Sequence, residues 1–229
     1  MPKVVTRKDI KNSVGTKVDY IKNATIYCAY LLVIWGFYRF LFELPSEIEE
    51  LVIKPVVWLL PVLYFVYNKE KLNIASLGFT LKNLFPSVYM AIGLGAVFVM
   101  EGVLTNFLKY GGLHFGANIG NLPLMTSLGL SFATAFTEET AFRGYVFTRI
   151  WSATKNEWSA NLITSGLWTL IHVPIAFFVW KLNLAAALTY LMLTAIYGIG
   201  AAFVFGKTRN ILSPILLHVL WEWPIILFR

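Results

Sequence analysis

Charged residues are sparse along this chain and unevenly placed. Asn23 to Tyr38, Asn83 to Met100, Trp158 to Trp180 and Leu182 to Gly206 contain no Asp, Glu, Lys or Arg, and Asn210 to Phe228 contains only Glu222. Leu51 to Tyr67 is a further apolar stretch with Lys54 near its start, and Tyr110 to Ile150 is apolar apart from Glu138, Glu139, Arg143 and Arg149. A helix needs about 20 largely apolar residues to cross roughly 30 Å of hydrocarbon. The pattern therefore predicts spans at 21–42, 50–67, 84–108, 122–150, 158–180, 183–206 and 209–228. Apolar residues are spread through each span without period-two alternation, which argues against a transmembrane barrel. Their recurrence to the last residue argues against a lone secretory signal.

The expected fold is all-α: one polytopic membrane domain over 1–229, a helical bundle of about seven transmembrane helices. The fourth span is too long for an untilted crossing. It either tilts strongly, projects into the cytoplasm, or breaks near Gly129, and a break raises the count to eight.

Composition agrees with the pattern. Hydrophobic residues make up 58% and charged residues 14%, against about 25% charged in a typical soluble domain, and the mean hydropathy is +0.67. That leaves too little polar surface for a soluble enzyme, and too much apolar residue for intrinsic disorder. A single cysteine, Cys28, excludes an internal disulfide or a multi-thiolate metal site. The net charge of +7 does not imply nucleic acid, because so few charges form no binding face.

The basic residues give a direction. Lys3, Arg7, Lys8, Lys11, Lys17 and Lys22 precede the first span, and residues 1–20 read as a basic cytoplasmic segment suited to anionic lipid headgroups. Lys69, Lys71, Lys82, Arg149, Lys155, Lys207 and Arg209 fall in alternate connections on the same side. The opposite side carries Arg39, Lys54, Lys109, Lys181 and Arg229, with Glu43, Glu47, Glu49 and Glu50 in its first connection. Positive-inside bias then predicts a multi-pass protein of the cell membrane, N-terminus in the cytoplasm and C-terminus outside.

Ionisable residues inside spans are costly and normally face protein or a watery cavity. The candidates are Glu101, Glu138, Glu139, Arg143, His172, His218 and Glu222. Glu139 and Arg143 stand four apart on one helical face and can pair. Glu138 lies about 100° round the helix, which leaves it free to exchange a proton. His172 is followed by Pro174, a residue that kinks helices. His218 and Glu222 are again four apart, so that the carboxylate can orient the imidazole. At ~1.5 Å per residue from the cytoplasmic ends, Glu138 lies about 17 Å deep, His172 about 22 Å and His218 about 13 Å. The three thus share a membrane layer and can form a Glu/His/His centre. Such a centre either holds a water against Glu138 as base or binds zinc through Glu138, His172 and His218, and both arrangements activate water. Glu101, near the end of its span, and His114, in a glycine-containing connection, read as peripheral. Gly93, Gly95, Gly198, Gly200 and the run Ala185 to Ala187 are places where helices can approach closely.

These motifs resemble the CAAX protease and bacteriocin-processing family of intramembrane endopeptidases. Its Glu-Glu-x-x-x-Arg motif matches Glu138, Glu139 and Arg143. Its second motif, an aromatic residue and then three residues before a His, matches Trp168 to His172, with Trp in place of the usual Phe. Its third, His-x-x-x-Asn or Asp, falls on His218 and Glu222, with Glu as a departure. The resemblance covers 122–228, the motif-bearing part, and is absent from the first three spans. It implies a peptidase in which Glu138 activates water, as a metalloprotease or without metal, and the sequence leaves both open. It also implies a membrane-associated or lipid-modified protein or peptide as substrate. The alternatives are a non-catalytic immunity or chaperone-like protein of the same fold and, further off, an ion-coupled transporter.

Overall fold

The computed structural model describes residues 17–113 and 123–227. Among these, seven helices and a 3₁₀ turn, Ile74–Leu77, account for the structure, with no strand. The helices are α1 (Lys17–Leu41), α2 (Ser46–Lys69) and α3 (Leu84–Tyr110). Next comes α4, which runs without a break through Leu124–Glu139, a π-helical stretch Thr140–Phe147, and Thr148–Thr154. Helix α5 (Glu157–Ile171) turns at His172 into a short π-helical piece, Ile175–Val179. Helices α6 (Leu184–Thr208) and α7 (Leu212–Leu227) complete the bundle. The all-helical polytopic reading therefore holds, with seven helices among the described residues. The basic residues before Lys17, and His114, lie outside the described residues.

Among the described residues, five helices are long and apolar enough to cross a membrane: Asp19–Leu41, Ser46–Lys69, Leu84–Leu108, Glu157–Val179 and Leu184–Thr208. Helix α7 has a shorter apolar stretch, Leu212–Glu222, and α4 is more polar than all of these. The reason is its position. Every residue from Thr140 to Phe147 is buried, with α1, α2, α5, α6 and α7 packed around the helix. It is thus solvated by protein rather than lipid and can carry charges that a lipid-facing helix cannot. It does not break at Gly129.

Small residues bring the helices together at particular places. A Cβ on Gly95 of α3 would come within 2.5 Å of Leu220 of α7, and one on Gly200 of α6 within 3.0 Å of Phe98. A Cβ on Gly198 would crowd Ser165 and Trp168 of α5. Gly93 meets no neighbour and Ala185 is exposed, so these two do not serve as close-packing sites.

One end of the bundle is tied together by the connection after α2. Asn210 donates to Thr80 O and Lys82 O at 2.9 and 2.8 Å, and Asn83 donates to Thr208 O at 2.9 Å. Tyr20, Lys82, Lys155 and Arg209 line one cavity of about 1270 Å³ there. This groups the start of α1 with the α2–α3, α4–α5 and α6–α7 connections, as alternating crossings require. Two cations counted from sequence as end charges turn inward instead. Arg149 is 2% exposed, and its Nε donates to Glu70 Oε2 at 2.8 Å. Tyr145 donates to the other oxygen of Glu70 at 3.0 Å. Lys54, 3% exposed, points into the bundle, where Glu50 and Glu138 take its ammonium.

Candidate intramembrane carboxylate and histidine site

Glu139 sits at the last turn before the π-helical stretch of α4 and has no exposed surface. Its Oε1 accepts from Arg143 at 3.0 Å, from the Tyr197 hydroxyl of α6 at 2.7 Å, and from His218 Nδ1 of α7 at 2.8 Å. A carboxylate only accepts, so Nδ1 of His218 carries the proton in this network and Nε2 points elsewhere. Arg143 is also fully buried. It donates to Gly198 O at 3.1 Å and lies against the rings of Trp168 and Tyr197, at 4.6 and 5.5 Å from their centres. Planar cation, carboxylate and two aromatic faces thus form one unit that holds α4, α5, α6 and α7 together.

His172 occupies the break in α5. Its backbone N–H turns back to Thr169 O at 3.1 Å, which frees Trp168 O to accept from His172 Nδ1 at 2.7 Å. Pro174 has no N–H to continue the regular ladder. The tautomer is fixed by the carbonyl partner, and Nε2 of His172 carries the lone pair. The Trp168 ring contacts both imidazoles, with centroid distances of 4.5 Å to His172 and 5.6 Å to His218. The two histidines therefore meet around one indole, and Glu138 lies within electrostatic range of both.

Glu138 is placed differently from the sequence expectation. It is not free: Lys54 Nζ of α2 donates to its Oε1 at 2.8 Å. Lys54 also bridges Glu50, at 2.7 Å to Oε1 and 2.5 Å to Oε2, and Thr134 donates to Glu50 Oε2 at 2.6 Å. The side chain of Glu138 keeps 8% of its surface accessible, whereas that of Glu139 keeps none. Of the adjacent carboxylates, only Glu138 is thus open to a water molecule.

Glu222 also departs from expectation. Its Oε2 accepts from Ser131 of α4 at 2.5 Å, and the His218 ring is oriented by Glu139 instead. The reason is reach: Ser131 and Glu139 both lie on α4 facing α7, and Glu139, anchored by Arg143, stands nearer the imidazole. Glu101 accepts a local bond from Thr105 at 3.0 Å, one turn along α3, and takes no part.

Sequence reasoning missed Lys54, Glu50, Thr134, Ser131 and Tyr197. Lys54 left a signal, a cation inside the predicted span 50–67 and four residues after Glu50. The hydroxyl residues left none, because hydroxyls are common in membrane helices and their partners are set by packing.

Zinc would need Glu138, His172 and His218 to converge as ligands. Among the described residues, no group of three His, Cys, Asp or Glu side chains is placed to hold a metal ion. The ammonium of Lys54 already takes one oxygen of Glu138. The donor set in this arrangement does not fit a zinc centre.

The fold and site define a polytopic helical membrane protein with a buried carboxylate and histidine cluster. Residues 120–224 match the family model described as type II CAAX prenyl endopeptidase Rce1-like, so the CAAX-protease resemblance read from the motifs holds over that region. The matched region starts just before α4 and reaches into α7, which leaves α1 to α3 outside it. No curated protein and no solved structure matches the chain.

Proposed function

We propose that this protein is an intramembrane endopeptidase that hydrolyses a peptide bond in a membrane-associated or lipid-modified peptide, with Glu138 as the base. The observation that carries this reading is the contrast between the two adjacent carboxylates. Glu139 is sealed and committed to Arg143, Tyr197 and His218, while Glu138 keeps accessible surface within electrostatic range of two histidines. The family match over residues 120–224 supports the same class of reaction.

In the proposed reaction Glu138 takes a proton from a water, and the water oxygen bonds to the scissile carbonyl carbon. His172, its Nδ1 committed to Trp168 O, accepts the second water hydrogen at Nε2 and so aims the oxygen. His218, held at Nδ1 by Glu139, donates from Nε2 in its protonated form to the carbonyl oxygen as that oxygen becomes negative. Glu138 then passes its proton to the leaving nitrogen, the C–N bond breaks, and a carboxylic acid and an amine leave, the acid giving its proton to the amine in water. The centre lies within the bundle rather than at its ends, so a lipid anchor that partitions beside the helices supplies a route for the substrate. No step runs through a metal. Hydrolysis of a lipid-anchored peptide in liposomes is expected to continue after exhaustive treatment with a zinc chelator. Loss of activity on chelation, with recovery on adding zinc, would overturn the metal-free form of the mechanism.

The same reading places the N-terminal end of α1, with Lys69, Lys71, Lys82 and Lys155, in the cytoplasm. A cysteine introduced at Lys155 should react with an impermeant maleimide in inverted vesicles and not in intact cells. Labelling in intact cells would reverse the orientation.

One observation favours a non-catalytic protein of this fold, namely the ammonium already seated on Glu138. In that case the Glu138→Gln protein would confer the same protection against a membrane-active peptide as the parent, and neither would hydrolyse peptide.

A further inference from the structure

Lys54 lies in α2, outside the family-matched segment, yet it makes the shortest ionic contact to Glu138 among the described residues. The contact belongs to a pattern. Glu50 and Lys54 are four apart on α2, and Thr134 and Glu138 are four apart on α4. Residues four apart share a helix face, one turn above the other. The two faces are joined by two rungs: Thr134 donates to Glu50 at one level and Lys54 donates to Glu138 at the next. The side chain of Lys54 retains only 4% of its surface, and the rings of Trp35 and Trp58 lie 5.8 and 5.9 Å from Nζ.

An ammonium has three protons to give. Hydrogen bonds to Glu50 Oε1 and Glu138 Oε1 use two of them, and Glu50 Oε2 lies in ionic contact at 2.5 Å. The ammonium is thus committed to two carboxylates at the wall between α2 and α4. What it does is fix one oxygen of Glu138 and balance its charge where little water reaches, which leaves Oε2 as the oxygen that meets the reacting water. A buried pair of this kind is weak evidence for stability on its own, because two desolvated charges roughly offset their attraction. Its use is to fix geometry.

We infer that Lys54, anchored by Glu50, is the positioning residue that holds the Glu138 carboxylate in its reactive orientation, so that α2 completes the active centre. This rests on the proposed peptidase reading, in which Glu138 is the base. Thr134 sets the height of Glu50 against α4 and so completes the frame.

The test is steady-state hydrolysis of a lipid-anchored peptide by full-length protein in liposomes, alongside thermal unfolding in detergent. Lys54→Met is expected to lower kcat by about 100-fold with KM within about 3-fold, the signature of an interaction used in the chemical step rather than in binding. Lys54→Arg, which keeps the charge and can bridge both carboxylates, should recover to within about 10-fold of the parent kcat. An equal loss in both variants, or a rise in KM with kcat unchanged, would overturn the positioning role. If Lys54→Met does not fold, Glu50→Gln decides. It leaves the ammonium on Glu138 with a weaker anchor and should lower kcat by about 5- to 10-fold at constant KM, and an unchanged kcat would overturn the proposal. Glu138→Gln separates the two levels of the argument. Full activity there removes Glu138 as the base and with it the role of Lys54, and a parent protein that hydrolyses no peptide removes the peptidase reading itself. Inactive Glu138→Gln beside fully active Lys54→Met and Glu50→Gln removes only the role of Lys54.

Discussion

Replacing Glu138 by Gln is expected to leave the fold intact and to lower peptide hydrolysis by about 10²- to 10⁴-fold, the usual worth of a positioned general base. The fold should survive because the amide oxygen of Gln still accepts from Lys54, and Lys54 keeps both oxygens of Glu50 as its counter-charge. No buried cation is left unpaired, which is the circumstance that makes such substitutions severe. The chemistry should be lost because an amide cannot take the proton of a water. The neighbouring carboxylate cannot substitute for it. Glu139 has no accessible surface, and its Oε1 already accepts from three donors. Unfolding temperature and kcat measured on the same preparation check both halves of this prediction.

The second large effect concerns stability. Arg143→Ala should destabilise the protein by about 3–5 kcal/mol, the cost of breaking a buried ion pair from one side. Arg143 is fully buried, and its removal leaves Glu139 with a hydroxyl and an imidazole but no positive partner of fixed charge. It also takes away the donor to Gly198 O and the cation between Trp168 and Tyr197. Four helices lose a shared anchor, so activity should fall together with stability. Arg143→Lys should recover part of the loss, because a single ammonium cannot serve Glu139 and Gly198 while lying flat against both rings. Unfolding in detergent measures the difference, and an alanine variant as stable as the parent would contradict the anchoring role.

Much of this architecture was legible because hydrocarbon punishes charge. Runs without Asp, Glu, Lys or Arg located the helices, and their number and order follow from that rule alone. Helix α4 was visible but its character was not. Its length suggested a tilt, a break or a projection; the structure shows no break at Gly129 and surrounds the helix with others, which is how it carries Glu138, Glu139, Arg143 and Arg149. The pairing of Glu139 with Arg143 could be read from a four-residue spacing, since that contact lies within one helix. The same spacing misled at Glu222, where a partner on another helix, Ser131, took the carboxylate. Lys54 was misread for a related reason. Counted as an end charge for topology, it is separated from Glu138 by 84 positions, and no local pattern reports a contact between α2 and α4. Sequence spacing shows what a single helix can bring together, and the site is completed by what the packing brings across.

The central claim is that Glu138 activates a water that attacks the peptide bond directly. A single turnover with excess protein in liposomes, in water enriched with ¹⁸O, tests it most directly, using a peptide with a prenylated cysteine near its C-terminus. The account predicts one ¹⁸O in the newly formed carboxyl group of the first-turnover product, and no product from the Glu138→Gln protein. Unlabelled carboxyl product in that turnover, or hydrolysis by Glu138→Gln at the parent rate, would contradict it.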